Sequence, residues 1–147
     1  MAGRFRFKLQ RVLEFRAQLE DQARMQLAVA VRAHNEQTAL VDRLRDGLAR
    51  HEAALDGRTR LSEGDLWLWR MYRDRLKHDL AEAEQELFRR AKEVNARRQD
   101  LVAKAKERKL LERMRASQEA AFRLEENARE QREADEMATL RFGAGTF

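Results

Sequence analysis

Side chains that commonly perform catalysis or bind metal are sparse in this sequence. It contains no Cys, which excludes disulfides, thiol nucleophiles and thiolate metal sites. Its three histidines, His34, His51 and His78, do not have a metal-binding spacing such as His-Glu-x-x-His. There is no glycine-rich phosphate loop, and a pair of helices offers no concave pocket in which a pKa could be shifted. We therefore predict that the protein is not an enzyme and holds no metal or cofactor.

Charged residues make up 39% of the chain, and carboxylates mostly lie three or four residues from Arg or Lys. That spacing is typical of solvated helix faces. Residues 89–115 contain eleven basic and four acidic residues, a net charge of +7, whereas residues 119–136 contain three basic and seven acidic residues, a net charge of −4. The basic stretch could belong to a nucleic-acid-binding helix pair, but no recognised DNA-binding motif accompanies it. A solvated coiled-coil face and a charged stem that docks into a protein partner are the other interpretations.

The elements that must carry these charges are long helices. The 147 residues include no Pro and only six Gly, and they are rich in residues that favour helices. Near residue 60, Gly57 fits the left-handed position after a helix, and Ser62 followed by Asp65 has capping-box spacing. The sequence predicts a single coiled-coil domain over residues 1–147, divided as follows: helix 1 at about 5–56, a turn at 57–62, helix 2 at about 63–140 and a short flexible tail at 141–147.

Apolar residues in both segments repeat every 3.5 residues on average, which is typical of left-handed coiled coils. In helix 1, where Arg16, Glu20 and His34 interrupt the pattern, the predicted seam is Leu9, Leu13, Ala23, Leu27, Ala30, Val41, Leu44, Leu48 and Leu55. In helix 2 it is Leu66, Leu76, Leu80, Ala83, Leu87, Val94 and Leu101. The prediction is an all-α fold: a long two-helix antiparallel coiled-coil hairpin with an unpaired C-terminal helical extension.

The short turn also predicts a register, in which the numbers of facing residues sum to about 120. The expected pairs are Leu44 with Leu76, Leu40 with Leu80, Leu27 with Val94, and Leu19 with Leu101. In this register helix 1 is used up near Lys109, so residues from about 112 onward have no partner helix within the chain.

An aromatic cluster, Trp67, Trp69 and Tyr72, opens helix 2. Trp69 is expected to pack in the seam near His51. Trp67 and Tyr72 cannot both share its face, because offsets of two and three residues point in different directions around a helix. We expect at least one of the two to be exposed, as interface anchors are.

The sequence offers no segment that would insert into a membrane. The basic N-terminus leads into no apolar signal region. The longest apolar runs, residues 27–31 and 66–69, are far shorter than the roughly 20 residues that span a bilayer. We expect a soluble cytoplasmic protein without direct membrane insertion.

Three stretches together resemble the family of the flagellar export protein FliJ. The first is the opening run Phe5–Arg16, and the second is the break near residue 60 with its aromatic-containing helix start. The third is Glu126-Asn127 followed by Asp135-Glu136-Met137-Ala138 near the C-terminus. Between Gln10 and Arg16 this chain is more basic than many relatives.

This resemblance implies a stalk- or chaperone-like component of the flagellar type III export apparatus, at the cytoplasmic face of the inner membrane. The implied role is to couple the export ATPase ring to the cytoplasmic domain of the membrane export gate, with export chaperones as further candidate partners and no nucleic acid. Residues implied to contact the gate are Gln37, Val41, Leu44, Leu48, Trp67, Tyr72 and Leu76. Residues implied to contact the ATPase ring are Phe5, Phe7, Arg11, Arg113, Phe122, Asn127, Asp135 and Glu136. A generic coiled-coil adaptor and the stalk of a virulence-type secretion system are the alternatives.

Overall fold

The computed structural model describes residues 3–57 and 60–144, and within these ranges it contains two α-helices and no strand. Helix α1 spans Gln10–Asp56 and helix α2 spans Glu63–Ala144. The two helices pack against each other, which confirms the predicted all-α fold and agrees with a helical hairpin.

Contacts group the chain into two compact units. Unit 1 combines Met1–Glu20 with Ala103–Phe147, and unit 2 is Asp21–Val102. The single domain over residues 1–147 therefore stays a prediction. Among the described residues, neither helix contains a stretch long and apolar enough to cross a membrane.

Helix α1 begins at Gln10, so the predicted start near residue 5 is wrong. Residues 3–7 have no regular secondary structure, and the Gln10 N–H donates to the Phe7 carbonyl oxygen at 3.1 Å where the helix begins. The sequence gives two reasons why α1 does not begin earlier. Arg4, Arg6 and Lys8 would place three cations at the positive end of the helix dipole. Residues 3–9 also include no Ser, Thr, Asp or Asn that could cap an earlier start.

The start of α2 follows its predicted capping signal, because the Ser62 hydroxyl oxygen accepts a hydrogen bond from the Asp65 N–H at 3.1 Å. The expectation for Gly57 is wrong: its φ is not in the left-handed region, as is true of every described glycine. A Cβ added to Gly57 would come no closer than 4.0 Å to the Ala54 carbonyl oxygen, so α1 ends in a conformation open to other residues.

Two predicted segments are described only in part. Residues 58 and 59 of the predicted turn lie outside the described residues, as do residues 145–147 of the predicted tail. Helix α2 runs on through Ala144, past the predicted end near residue 140.

The core of unit 2 is a narrow stripe between α1 and α2. Its buried apolar residues are Ala23, Ala30, Val41, Leu76, Ala83 and Val94, all members of the predicted seam. Hydrogen bonds join Gln37 to Ala83 and His51 to Trp69, two pairs whose residue numbers sum to 120 as the register predicted. Leu40, expected to face Leu80, is an exception at 36% exposed.

In unit 1 the seam carries charge as well as apolar side chains. Leu13 and Phe7 are buried, but so is Glu20, which accepts hydrogen bonds from the Arg108 guanidinium. Arg108 also pairs with Glu112 at 2.8 Å. These hydrogen bonds, which Arg108 donates first to Glu20 and then to Glu112, raise the pKa of Arg108 above its ordinary value. Glu20, which interrupts the sequence pattern, is therefore accommodated by an ion pair across the helices.

The seam in unit 2 can be tested by comparing one buried and one exposed valine of α1. Val41 is 1% exposed and Val29, on the same helix, is 70% exposed. Val41→Ala should lower the free energy of unfolding by about 2 kcal/mol, because two buried methyl groups and their packing are lost. Val29→Ala should change it by less than about 0.5 kcal/mol. Urea unfolding followed by circular dichroism measures both, and similar losses at the two positions would contradict this assignment of the seam.

Candidate functional site

In unit 2, an interlocked pair of rings fixes the start of α2 against α1. The Trp69 indole N–H donates to the His51 carbonyl oxygen at 3.0 Å, and His51 Nε2 lies 2.9 Å from the Trp69 carbonyl oxygen. Since a carbonyl can only accept, Nε2 carries the proton in this contact. The two rings stack with centroids 5.0 Å apart and planes inclined by 16°. The prediction that Trp69 packs in the seam near His51 is confirmed.

Beside this pair lies an exposed apolar surface that we call the aromatic stripe, composed of Trp67, Leu68, Met71 and Tyr72. Each of the four side chains is more than half exposed. Trp67 and Met71, like Leu68 and Tyr72, are four residues apart and therefore neighbours on the helix surface. Contiguous exposed apolar side chains of this kind mark interaction sites.

The prediction that Trp67 or Tyr72 would be exposed is confirmed, since both are. Tyr72 also contacts the His51 ring edge-on, with centroids 4.7 Å apart. Leu68 and Met71 were not among the predicted contact residues. Their four-residue spacing from Tyr72 and Trp67 was the available signal in the sequence.

The other residues implied to contact the gate lie deeper. Gln37, Val41 and Leu76 are buried between α1 and α2, and Leu44 and Leu48 are half-buried. The buried three are inaccessible to a partner while the helices stay packed. The structure therefore brings together Trp67 and Tyr72 on one exposed surface, and it places the remaining residues in or beside the seam that supports it.

In unit 1 the residues before α1 form an N-terminal strap, defined as residues 3–9, that lies on α2. The ring centroids of Phe5 and Phe122 are 5.7 Å apart with planes inclined by 49°. A Cβ built on Gly3 would lie 3.5 Å from Phe122 Cζ and 3.7 Å from Glu126 Oε1. A cleft of about 480 Å³ lies beside this contact, and its lining includes Arg4, Glu119 and Asn127.

The strap adds a contact that the sequence did not predict in the C-terminal part of the chain. Residues from about 112 onward were predicted to have no partner helix within the chain; Phe122 and Glu126 instead lie beside the strap, whose residues 3–7 are not helical. The prediction missed this contact because it assumed that residues 5–9 continue α1. From Asn127 to Ala144 every residue of α2 is exposed, and this segment is the bare part of the helix.

The residues implied to contact the ATPase ring are distributed unevenly over unit 1. Phe5 of the strap contacts Phe122 of α2, and Phe7 is buried. The remaining five are exposed along α1 and α2: Arg11, Arg113, Asn127, Asp135 and Glu136. Of these five, only Asn127 lines the cleft beside the strap.

Taken together, these features define a helical, coiled-coil-like protein whose candidate sites are exposed surfaces for partners. Within the described ranges, no group of three or more His, Asp and Glu side chains is placed to hold a metal ion. The family model described as "Flagellar FliJ protein" matches residues 5–146, nearly the whole chain. The chain belongs to the FliJ family, so it is a flagellar export-related protein that interacts with the export machinery. Comparisons with curated proteins and with solved structures give no match.

The two tryptophans allow the aromatic stripe to be distinguished from its support by fluorescence. In Trp69→Phe the remaining Trp67 is 61% exposed, so its emission should be red-shifted and strongly quenched by acrylamide. In Trp67→Phe the remaining Trp69 is stacked on His51, so its emission should be bluer and less quenched. Trp69→Phe should also cost about 1 kcal/mol of stability through the lost indole hydrogen bond. Equal quenching in the two variants would contradict this placement.

Proposed function

We propose that this protein is a non-enzymatic connecting component of the flagellar type III export apparatus, which couples the export ATPase ring to the membrane export gate. The family match supports the export apparatus as its setting. The observation that carries the finer proposal is that unit 1 and unit 2 each present an exposed surface suited to a protein partner. The proposed location is the cytoplasm, at the periphery of the inner membrane.

The aromatic stripe is the proposed contact for the cytoplasmic domain of the gate. Trp67 and Met71 expose apolar area without taking part in the ring pair that fixes α2. Burial of such side chains against a partner gains free energy from the removal of apolar surface from water, and Trp and Tyr are frequent binding hot spots. Because Trp69 and His51 hold the helix beneath it, the stripe is presented with little conformational entropy left to lose.

The proposed contact for the ATPase ring is in unit 1. The exposed helix from Asn127 to Ala144 includes Asp135 and Glu136 together with Met137 and Leu140, which are also exposed. A single helix with this composition gains little stability from its own sequence and is stabilised by packing against another chain. The exposed cations Arg11 and Arg113 add charge to the same unit. Export chaperones are further proposed partners.

The basic stretch 89–115 supports a protein partner better than a nucleic acid. Several of its cations are engaged within the fold rather than directed outward. Arg90 donates to the Ala33 carbonyl oxygen at 2.8 Å, and Arg97 donates to Glu93 and to Gln26. Arg108 is held by Glu20 and Glu112. Fewer cations therefore remain to neutralise phosphates, and non-specific affinity for nucleic acid depends on that neutralisation.

Two variants test the assignment of one partner to each unit. Trp67→Ala with Met71→Ala removes two of the four exposed apolar side chains of the aromatic stripe. Truncation after Ala128 removes the bare part of α2 but leaves the strap contacts at Phe122 and Glu126 in place. In paired pull-downs, the first variant should lose at least tenfold in affinity for the gate domain and keep the ATPase, as a change of about 1.4 kcal/mol or more implies. The truncated protein should show the opposite pattern.

Phe88→Ala is the matched control, because Phe88 is also 61% exposed on α2 in unit 2 but lies outside the stripe. It should bind both partners as the wild type does. If the two test variants lost the same partner, the protein would be a plain coiled-coil adaptor rather than a coupling component. Motility assays on the same variants connect the binding results to export.

A further inference from the structure

The N-terminal strap and the α2 face beneath it are chemically complementary. Residues 4–8 of the strap read Arg-Phe-Arg-Phe-Lys, so cations alternate with aromatic rings. The facing part of α2 offers the Phe122 ring between the carboxylates of Glu119 and Glu126, one turn away on either side. The Phe5 and Phe122 ring centroids are 5.7 Å apart, and Arg4 lines the same cleft as Glu119 and Glu126. Within α2 the two carboxylates pair with Arg123 and Arg129. This α2 face therefore has the chemistry to bind an aromatic–cationic segment.

The strap is held on the α2 face by fewer contacts than a packed helix would make. Among the described residues, no backbone hydrogen bond joins the strap to α2. Gly3 lies beside Phe122 and Glu126, and the Phe5 ring contacts the Phe122 ring. Arg4 and Arg6 are exposed. Segments with few buried contacts open at a low free-energy cost while the rest of a protein stays folded. Phe7 is buried, so it can anchor the strap when Gly3–Arg6 lift away.

We propose that the α2 face formed by Glu119, Phe122 and Glu126 is a docking surface for a partner segment with alternating aromatic and cationic side chains, and that the strap occupies this face in the unbound protein. The partner displaces Gly3–Arg6 and takes over the contact with Phe122. Phe5 is then a competitor of the partner and not one of its contacts. This inference rests on the proposed function, in which unit 1 binds the export ATPase, and it concerns how that binding is restrained.

The direction in which Phe5→Ala changes the affinity for the partner distinguishes this proposal from a direct contact by Phe5. When only the open fraction of a protein can bind, the apparent Kd equals the intrinsic Kd divided by that fraction. Loss of the Phe5 ring weakens the closed state, so Phe5→Ala should tighten binding. Loss of Phe122 removes the docking surface itself, so Phe122→Ala should weaken binding. A direct contact role for both rings would instead make both substitutions weaken it.

The experiment measures binding of the full-length chain to the export ATPase of the same organism by titration calorimetry. We expect Phe5→Ala to lower the Kd severalfold, up to about tenfold, for one lost aromatic pair. Phe122→Ala should raise it by at least fivefold. Phe15→Ala is the matched control, since Phe15 is 55% exposed in unit 1 and outside the strap contact, and its Kd should stay within twofold of the wild type.

A chemical lock adds a second arm, because the chain has no Cys of its own. Gly3→Cys and Asn127→Cys place two thiols on the lining of one cleft. A short bis-maleimide should join them within one chain. The Kd should then be at least tenfold higher than that of the Asn127→Cys single variant treated with the same reagent, which carries the same label at the proposed ATPase contact. The treated Gly3→Cys single variant should bind no more weakly than the wild type. Circular dichroism before and after the reaction checks that the helices persist.

Each outcome decides between the alternatives. Two results would overturn the strap proposal and leave the proposed function standing. One is a Phe5→Ala variant that binds the ATPase more weakly than the wild type, and the other is a cross-linked protein that binds as tightly as the protein without the cross-link. Cross-linked dimers in place of cross-linked monomers would show that a second copy supplies the strap, and would also overturn it. If no form of the protein bound the ATPase, both this inference and the ATPase part of the proposed function would be wrong.

Discussion

The fold depends on a narrow seam in which every buried position must find its partner on the other helix. In unit 2 the seam is made of small and branched side chains, and one polar side chain lies among them. Gln37 is buried, and its Nε2 donates to the Ala83 carbonyl oxygen at 2.9 Å. A shift of one helix along the other would leave this buried amide without its acceptor, at a cost of about 1–3 kcal/mol. The bond therefore specifies the register as much as it stabilises the pair.

Because the seam is narrow, most side chains remain available for contact with partners. In unit 2 the register sets His51 beside Trp69, and their mutual hydrogen bonds hold the turn of α2 that carries Trp67 and Met71. In unit 1 the seam includes a charged layer at Glu20 and Arg108, and the strap lies on α2. In each unit, the buried contacts thus decide which helix face is left exposed.

Local signals in the sequence predicted the parts of the fold that depend on local chemistry. The apolar repeat predicted the seam, the Ser62–Asp65 spacing predicted the start of α2, and the short connection predicted the register that brings His51 to Trp69. The strap was missed because the Phe-Arg alternation after Gly3 lies next to a strong helical pattern. The pairing of Glu20 with Arg108 was missed because 88 residues separate them and each alone resembles a surface charge. Leu40 is exposed, although it was predicted to face Leu80, because Val41 occupies the buried position at that turn of α1.

The register of α1 against α2 is the central claim, and one distance measures it directly. Arg45 and Glu84 form an exposed interhelical ion pair at 3.0 Å, and the chain has no Cys of its own, so both positions can be changed to Cys and spin-labelled selectively. Axes of packed helices lie about 8–10 Å apart, so pulsed electron paramagnetic resonance should give a narrow distribution below roughly 20 Å. A broad distribution, or a mean beyond roughly 30 Å as separated helices would give, would contradict the antiparallel seam.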